Sequence, residues 1–412
     1  MVLHEGIESN DYVISENEIP WESDPLVFIF KDEIPGRVKM HTRALNFERD
    51  WIKIDRSYMD QMKLRQKILS QNRDQVLIAA NESQSCRDAQ LELLQEIGKY
   101  LPQRFPYLYS TSDDGETIYN KLFGTHTSLS ESDPLDPLSR INNLTQEDWV
   151  ILEWSETEQA YTATAGLVDF PMRWSLQEKF RQPLSTIHVP VKPFEKHLQP
   201  KVYDLFRKMP SSVPIWRANW AIFNDLDGPL DLYTPLGHSA RNEVNHLSVF
   251  DKESTGTELV FRAEYQTLWR LPRTGAIVFG IRTYQRYLSE FNKFPAEDSR
   301  SLIKAIETLN PDFSIYKGAE FWSDAAVKYL KWILEKKENE IIDKTQKGDQ
   351  ANGIVIESDK VSQTEKPVRE IQLETEKRST IVITSERYKE IIVGLSVVVV
   401  ACAAIWNYYR RT

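Results

Sequence analysis

His188 lies in the stretch WSLQEKFRQPLSTIHVPV (174–191), flanked by apolar Ile187 and Val189, with Pro190 following. An imidazole in such a setting can coordinate a haem iron through one ring nitrogen while a neighbouring acceptor fixes the other. Pro190 is expected to hold the chain extended around it. By spacing alone, the plainer reading is a core or surface histidine bonded to a carbonyl. A second constellation is Glu147 and Asp148, just ahead of an apolar run, with Glu264 inside FRAEYQTLWRLPRTG (261–275). Arg262, Glu264 and Gln266 share one face of that strand, because alternate residues point the same way. A polar strand face is commonly just solvated. The functional alternative is a pocket where carboxylates meet a cationic amine, or pair with arginines that hold haem propionates. Arg270, Arg273 and Arg282 are the cations available nearby.

Other chemistry is absent from the sequence. No two of the fifteen glycines stand two apart, which removes both the G-x-G of a dinucleotide fingerprint and a phosphate-cradling loop. There is no His-x-x-x-His, His-Glu-x-x-His or Cys-x-x-Cys, and no nucleophile-elbow serine. Two cysteines, Cys86 and Cys402, cannot supply an iron–sulfur cluster or a disulfide framework. A net charge of −10 argues against a partner in nucleic acid, because phosphate neutralisation needs a basic surface.

The elements that must position these residues form an α+β pattern. With 412 residues, 41% of them hydrophobic, most of the chain can bury a core. Apolar spacing predicts helices over 55–69, 87–101 (stopped by Pro102), 198–209, 301–309 and 320–334. Strands are expected at 149–154 and 161–170, joined as a hairpin, and at 213–223, 258–271 and 276–284. The sum is a mostly antiparallel sheet with flanking helices. Residues 1–20 read as an acidic tail without a signal-peptide pattern, and residues 21–334 as the folded head. The segment 335–390 holds 24 charged residues out of 56 and is expected to be a flexible tether. Residues 391–406 carry no charge, and 407–409 extend them to Arg410 and Arg411. As a helix, 391–409 would reach roughly 28 Å, the span of one short transmembrane anchor at the C-terminal end. A tail anchor with a cytosolic head follows, with the mitochondrial outer membrane favoured over the endoplasmic reticulum.

Six fragments in order carry a resemblance. They are LNFERDWIKIDRSYMDQMKLRQKIL (45–69), LLQEIGKYLPQRFP (93–106), QEDWVILE (146–153), FPMRWSLQEKFRQPLSTIHVPV (170–191), VPIWRANWAI (213–222) and FRAEYQTLWRLPRTGAIVFGIRTY (261–284). Over roughly 40–288 the chain resembles the haem-dependent oxidative N-demethylases, alpha-subunit-like. The resemblance implies a PAS-like haem domain in which His188 ligates the iron of haem b, with Glu264 as the pocket carboxylate for a small amine substrate. It also implies O₂ chemistry that releases an N-methyl group as formaldehyde, with electrons from an external reductase. Tyr265 and Trp269 stand where the resemblance has arginines, which implies a changed haem affinity or substrate choice if either arginine serves a propionate or the substrate. The other reading kept open is a non-catalytic haem sensor or carrier.

Overall fold

Residues 42–171, 174–191, 194–224 and 250–351 are described by the computed structural model. The acidic tail 1–20, most of the expected tether and the expected membrane span 391–409 lie outside them. Among the described residues no helix is long and apolar enough to cross a membrane.

The described strands are β1 (Arg43–Ala44), β2 (Leu77–Ala79), β3 (Tyr109–Thr111), β4 (Thr117–Asn120), β5 (Thr125–Ser128), β6 (Asp148–Ser155), β7 (Ala160–Leu167), β8 (Ile215–Asn224), β9 (Leu259–Arg270) and β10 (Ile277–Tyr287). Seven of them make one sheet in the order β1-β8-β9-β10-β6-β7-β2, and β3-β4-β5 make a small second sheet. Every pairing in both is antiparallel, so the expected α+β class with an antiparallel sheet and flanking helices is what the chain forms. The expected hairpin is β6–β7, and the three later strands are β8, β9 and β10, each within three residues of its expected ends.

Period-two alternation decides what each face of the sheet meets. On β9, Phe261, Ala263, Tyr265 and Trp269 point to one face, together with Ala218, Trp220 and Ile222 of β8 and Trp149 and Ile151 of β6. That face is covered by the helices Tyr58–Val76, Gln84–Arg104, Ala296–Glu307 and Ser323–Ala351, which together form the large core. Gly280 of β10 lets it close: a Cβ there would lie 2.8 Å from the Trp149 ring and 2.7 Å from Thr267 Oγ1. The other face carries Leu152, Tyr161, Ala163, Ile215, Leu268 and Ile277, covered by Leu184, Phe194, Leu198, Phe206 and Met209 from the segment between β7 and β8. This second core is smaller and contains the candidate site.

Three sequence expectations shift. The helix expected to stop at Pro102 runs from Gln84 to Arg104 with the proline inside it. A proline in the last turn removes only one backbone bond, and Phe105 N still closes the end on Leu101 O at 2.8 Å. The helix expected to end at 334 starts at Ser323 and continues to Ala351, into the stretch read as tether. His188 is not in extended backbone: it caps the short helix Leu184–Ile187, with φ −100° and ψ 9°. One residue, Val189, stands between it and Pro190, so the proline's restriction falls there instead.

Candidate functional site

The His188 ring is fixed from two sides. Nδ1 lies 2.8 Å from the Leu184 carbonyl oxygen, one helical turn back. The imidazole also stacks on Phe194, with centroids 4.0 Å apart and planes 11° apart. Because a carbonyl only accepts, Nδ1 must carry the proton, and Nε2 is left with a bare lone pair. Burial pushes the ring's pKa down to about 4; the Leu184 bond opposes this, and the charges of Arg217 and Lys179 add to it. The ring is therefore neutral at physiological pH and has no proton to lose before binding a metal through Nε2.

Facing the same side, β8 and β9 present a polar ladder. Glu264 lies opposite Asn219, and Gln266 opposite Arg217. Glu264 accepts from Arg262 Nε at 3.0 Å, from Gln266 Nε2 at 2.7 Å and from Asn219 Nδ2 at 3.2 Å. Burial resists its ionisation, but Arg262 and the two amides outweigh that and hold its pKa below the usual carboxylate range. Three of roughly four lone-pair positions on the carboxylate are thus taken. Arg262 in turn donates to Phe170 O at 2.7 Å, and the Phe170 amide donates to Asp148 Oδ2 at 3.1 Å. Three buried atoms on these strands, Arg217 Nε, Arg262 Nη1 and Gln266 Oε1, have no hydrogen-bond partner among the described residues. They are polar groups that a ligand can satisfy.

The carboxylates picked from the sequence do not converge on one pocket. Asp148 is bound by Arg65 at 2.8 Å and by the Asp169 amide at 2.9 Å, linking β6 to the helix Tyr58–Val76. Glu147 alternates with Trp149 toward the large core, where its Oε1 accepts from Lys53 N at 2.9 Å and its Oε2 has no partner among the described residues. Burial raises its pKa to about 7 against the pull of Arg282. Arg282 is itself fully buried on Asp55 (2.8 Å) and Gln61 (2.6 Å), anchoring the start of the same helix. Arg270 donates to Met209 O at 2.8 Å, Gly275 O at 2.6 Å and Phe206 O, clamping the end of the helix Gln199–Lys208. Arg273 sits largely exposed in the β9–β10 turn, holding Gln95 Oε1 at 2.7 Å.

The cations that accompany His188 and Glu264 are instead Arg217 and Arg262. Sequence reading missed Arg217, although the signal was present: in IWRANW, arginine and asparagine two apart break an apolar strand and share a face. Tyr265 and Trp269 point to the opposite face from Glu264, where Trp269 packs on Trp51 at 5.1 Å and Tyr265 on Trp216 at 5.2 Å. Both belong to the large core.

The donor set suits haem: one oriented neutral imidazole, an apolar cluster that includes Leu152, Leu184, Leu268 and Phe279, and unpartnered guanidinium donors. A family model described as haem-dependent oxidative N-demethylase, alpha subunit-like, matches residues 43–327 and so takes in every residue of this site. The chain belongs to the haem-dependent oxidative N-demethylase, alpha-subunit-like, family.

Proposed function

We propose that the chain is a haem-binding monooxygenase that oxidatively N-demethylates a small amine, using O₂ and electrons from a separate reductase. The observation that carries this is the placement of His188, with its proton tied to Leu184, on the same side of the sheet as the ionised Glu264. The strand order β8-β9-β10-β6-β7, with a helical crossing segment between β7 and β8 over one face, supports a PAS-like arrangement with its pocket under that segment.

Haem b, held by His188 Nε2, would supply O₂ reduction and oxidation of an N-methyl carbon. The protein's own contribution is positioning. Leu184 O and Phe194 set the imidazole plane, which fixes the axis of any metal bond. Glu264 keeps one acceptor position for the N–H of a protonated amine, which a charge-assisted hydrogen bond would orient. Arg262 and Gln266 hold that carboxylate still and ionised. The apolar cluster excludes water and strengthens these contacts.

An absorbance spectrum of the purified protein with haem, followed by formaldehyde measurement with amine, O₂ and a reductant, tests the reading. A Soret band with amine-dependent formaldehyde is expected. A protein that takes up no haem would end it.

A further inference from the structure

Arg217 carries a charge that no ion pair or hydrogen bond meets among the described residues. Glu264 is the carboxylate on this side of the β8–β9 pair, and Arg262 already engages it at 3.0 Å. Among the described residues Arg217 makes no hydrogen bond or ion pair, and its Nε is buried. It is near enough for its charge to bear on His188 and for that of Glu264 to bear on it. A guanidinium cannot shed its proton, so it needs acceptors once water is displaced. Its planar fork matches a carboxylate held by two parallel N–H bonds. Arg262 Nη1, also without a partner, adds a donor on the neighbouring strand.

We propose that Arg217 binds a carboxylate within the His188 site, contributed by a haem propionate or by a substrate that carries an acid beside its methylated amine. The assignment rests on the haem reading only for the source of that carboxylate. In the second case Glu264 takes the ammonium and Arg217 the acid of one zwitterion, and the preferred substrate is an N-methylated amino acid.

The test compares full-length wild type with Arg217→Gln, each loaded with haem as the free acid or as its dimethyl ester. If the carboxylate is a propionate, Arg217→Gln speeds transfer of free-acid haem to apomyoglobin by about tenfold or more and leaves the ester unaffected. If it is the substrate's, haem transfer is unchanged. N-methylglycine then shifts the haem spectrum about tenfold more weakly in the variant, while dimethylamine behaves as in wild type. No change in either measurement overturns the proposal. Arg217→Lys keeps the charge without the fork; it should fall between the two and carries the comparison if the glutamine variant unfolds. A chain that binds no haem defeats the proposed function and leaves Arg217 testable. Propionate ion titrated against tryptophan fluorescence should then bind wild type and not Arg217→Gln, and equal responses would overturn the proposal.

Discussion

His188 Nδ1 and the carbonyl oxygen of Leu184 lie 2.8 Å apart, a bond that decides which nitrogen of the ring is free. Substituting His188 by alanine removes the free lone pair, and the Soret band should vanish or move to the blue. Unchanged haem content and spectrum in that variant would falsify the ligand assignment, and His238 and His246 would be the next to substitute. Phe194→Ala should keep haem but loosen it, because the imidazole loses the ring stacked on it at 4.0 Å. The off-rate of haem reads that difference.

Glu264→Gln preserves shape and removes the charge that would attract a protonated amine. A charge-assisted hydrogen bond contributes about 1.5–3 kcal/mol. Amine-induced shifts of the haem spectrum should therefore weaken by about tenfold or more while haem stays bound. Equal shifts in both proteins would remove Glu264 from amine recognition.

The sheet was legible because alternation and apolar runs are local. Strands β6, β7, β8, β9 and β10 follow from residue patterns that need no knowledge of their partners. The site was legible only by halves. Arg262, Glu264 and Gln266 share a face by simple parity, but which cations join them depends on register between β8 and β9, a nonlocal property. Arg270 and Arg282 look like free cations in sequence, yet backbone carbonyls and Asp55 engage them from 61 and 227 residues away. Glu147 and Asp148 adjoin in sequence, and the pleat sends them to different faces. The Tyr265 expectation had the same origin: one residue along a strand is the other side of the sheet.

Glu147 and His188 give opposite pH dependences of stability. Glu147 has its folded pKa raised to about 7 from an ordinary 4.5, so the native state binds a proton that the unfolded chain releases. Its contribution is fully present below pH 4.5 and is lost as pH rises to about 7. His188 is lowered to about 4 from 6.5, so its contribution is present above pH 6.5 and is lost as pH falls toward 4. Because the two contributions oppose each other in wild type, melting temperatures measured across this range should fall less, or rise more, with increasing pH in Glu147→Gln than in wild type. Parallel curves for the two proteins would show that Glu147 does not titrate there.

Trp269 belongs to the large core, on the face of the sheet away from the site. Its ring packs against both Trp51 (5.1 Å) and Phe47 (4.6 Å), and its indole N–H donates to Ser211 O at 2.7 Å. Trp269→Ala removes a buried aromatic and leaves a cavity, a loss of about 3–5 kcal/mol. Because the side chain faces away from Glu264 and Arg217, the fraction that remains folded should bind haem and amine as wild type does. Tyr265→Phe removes the hydrogen bond to Asp50 O at 3.1 Å and should likewise cost stability without moving the spectra. Denaturant titration reads the stability, and haem spectra with added amine read the site. Altered amine shifts in either variant would place these residues in the pocket after all, and with them a substrate preference peculiar to this chain.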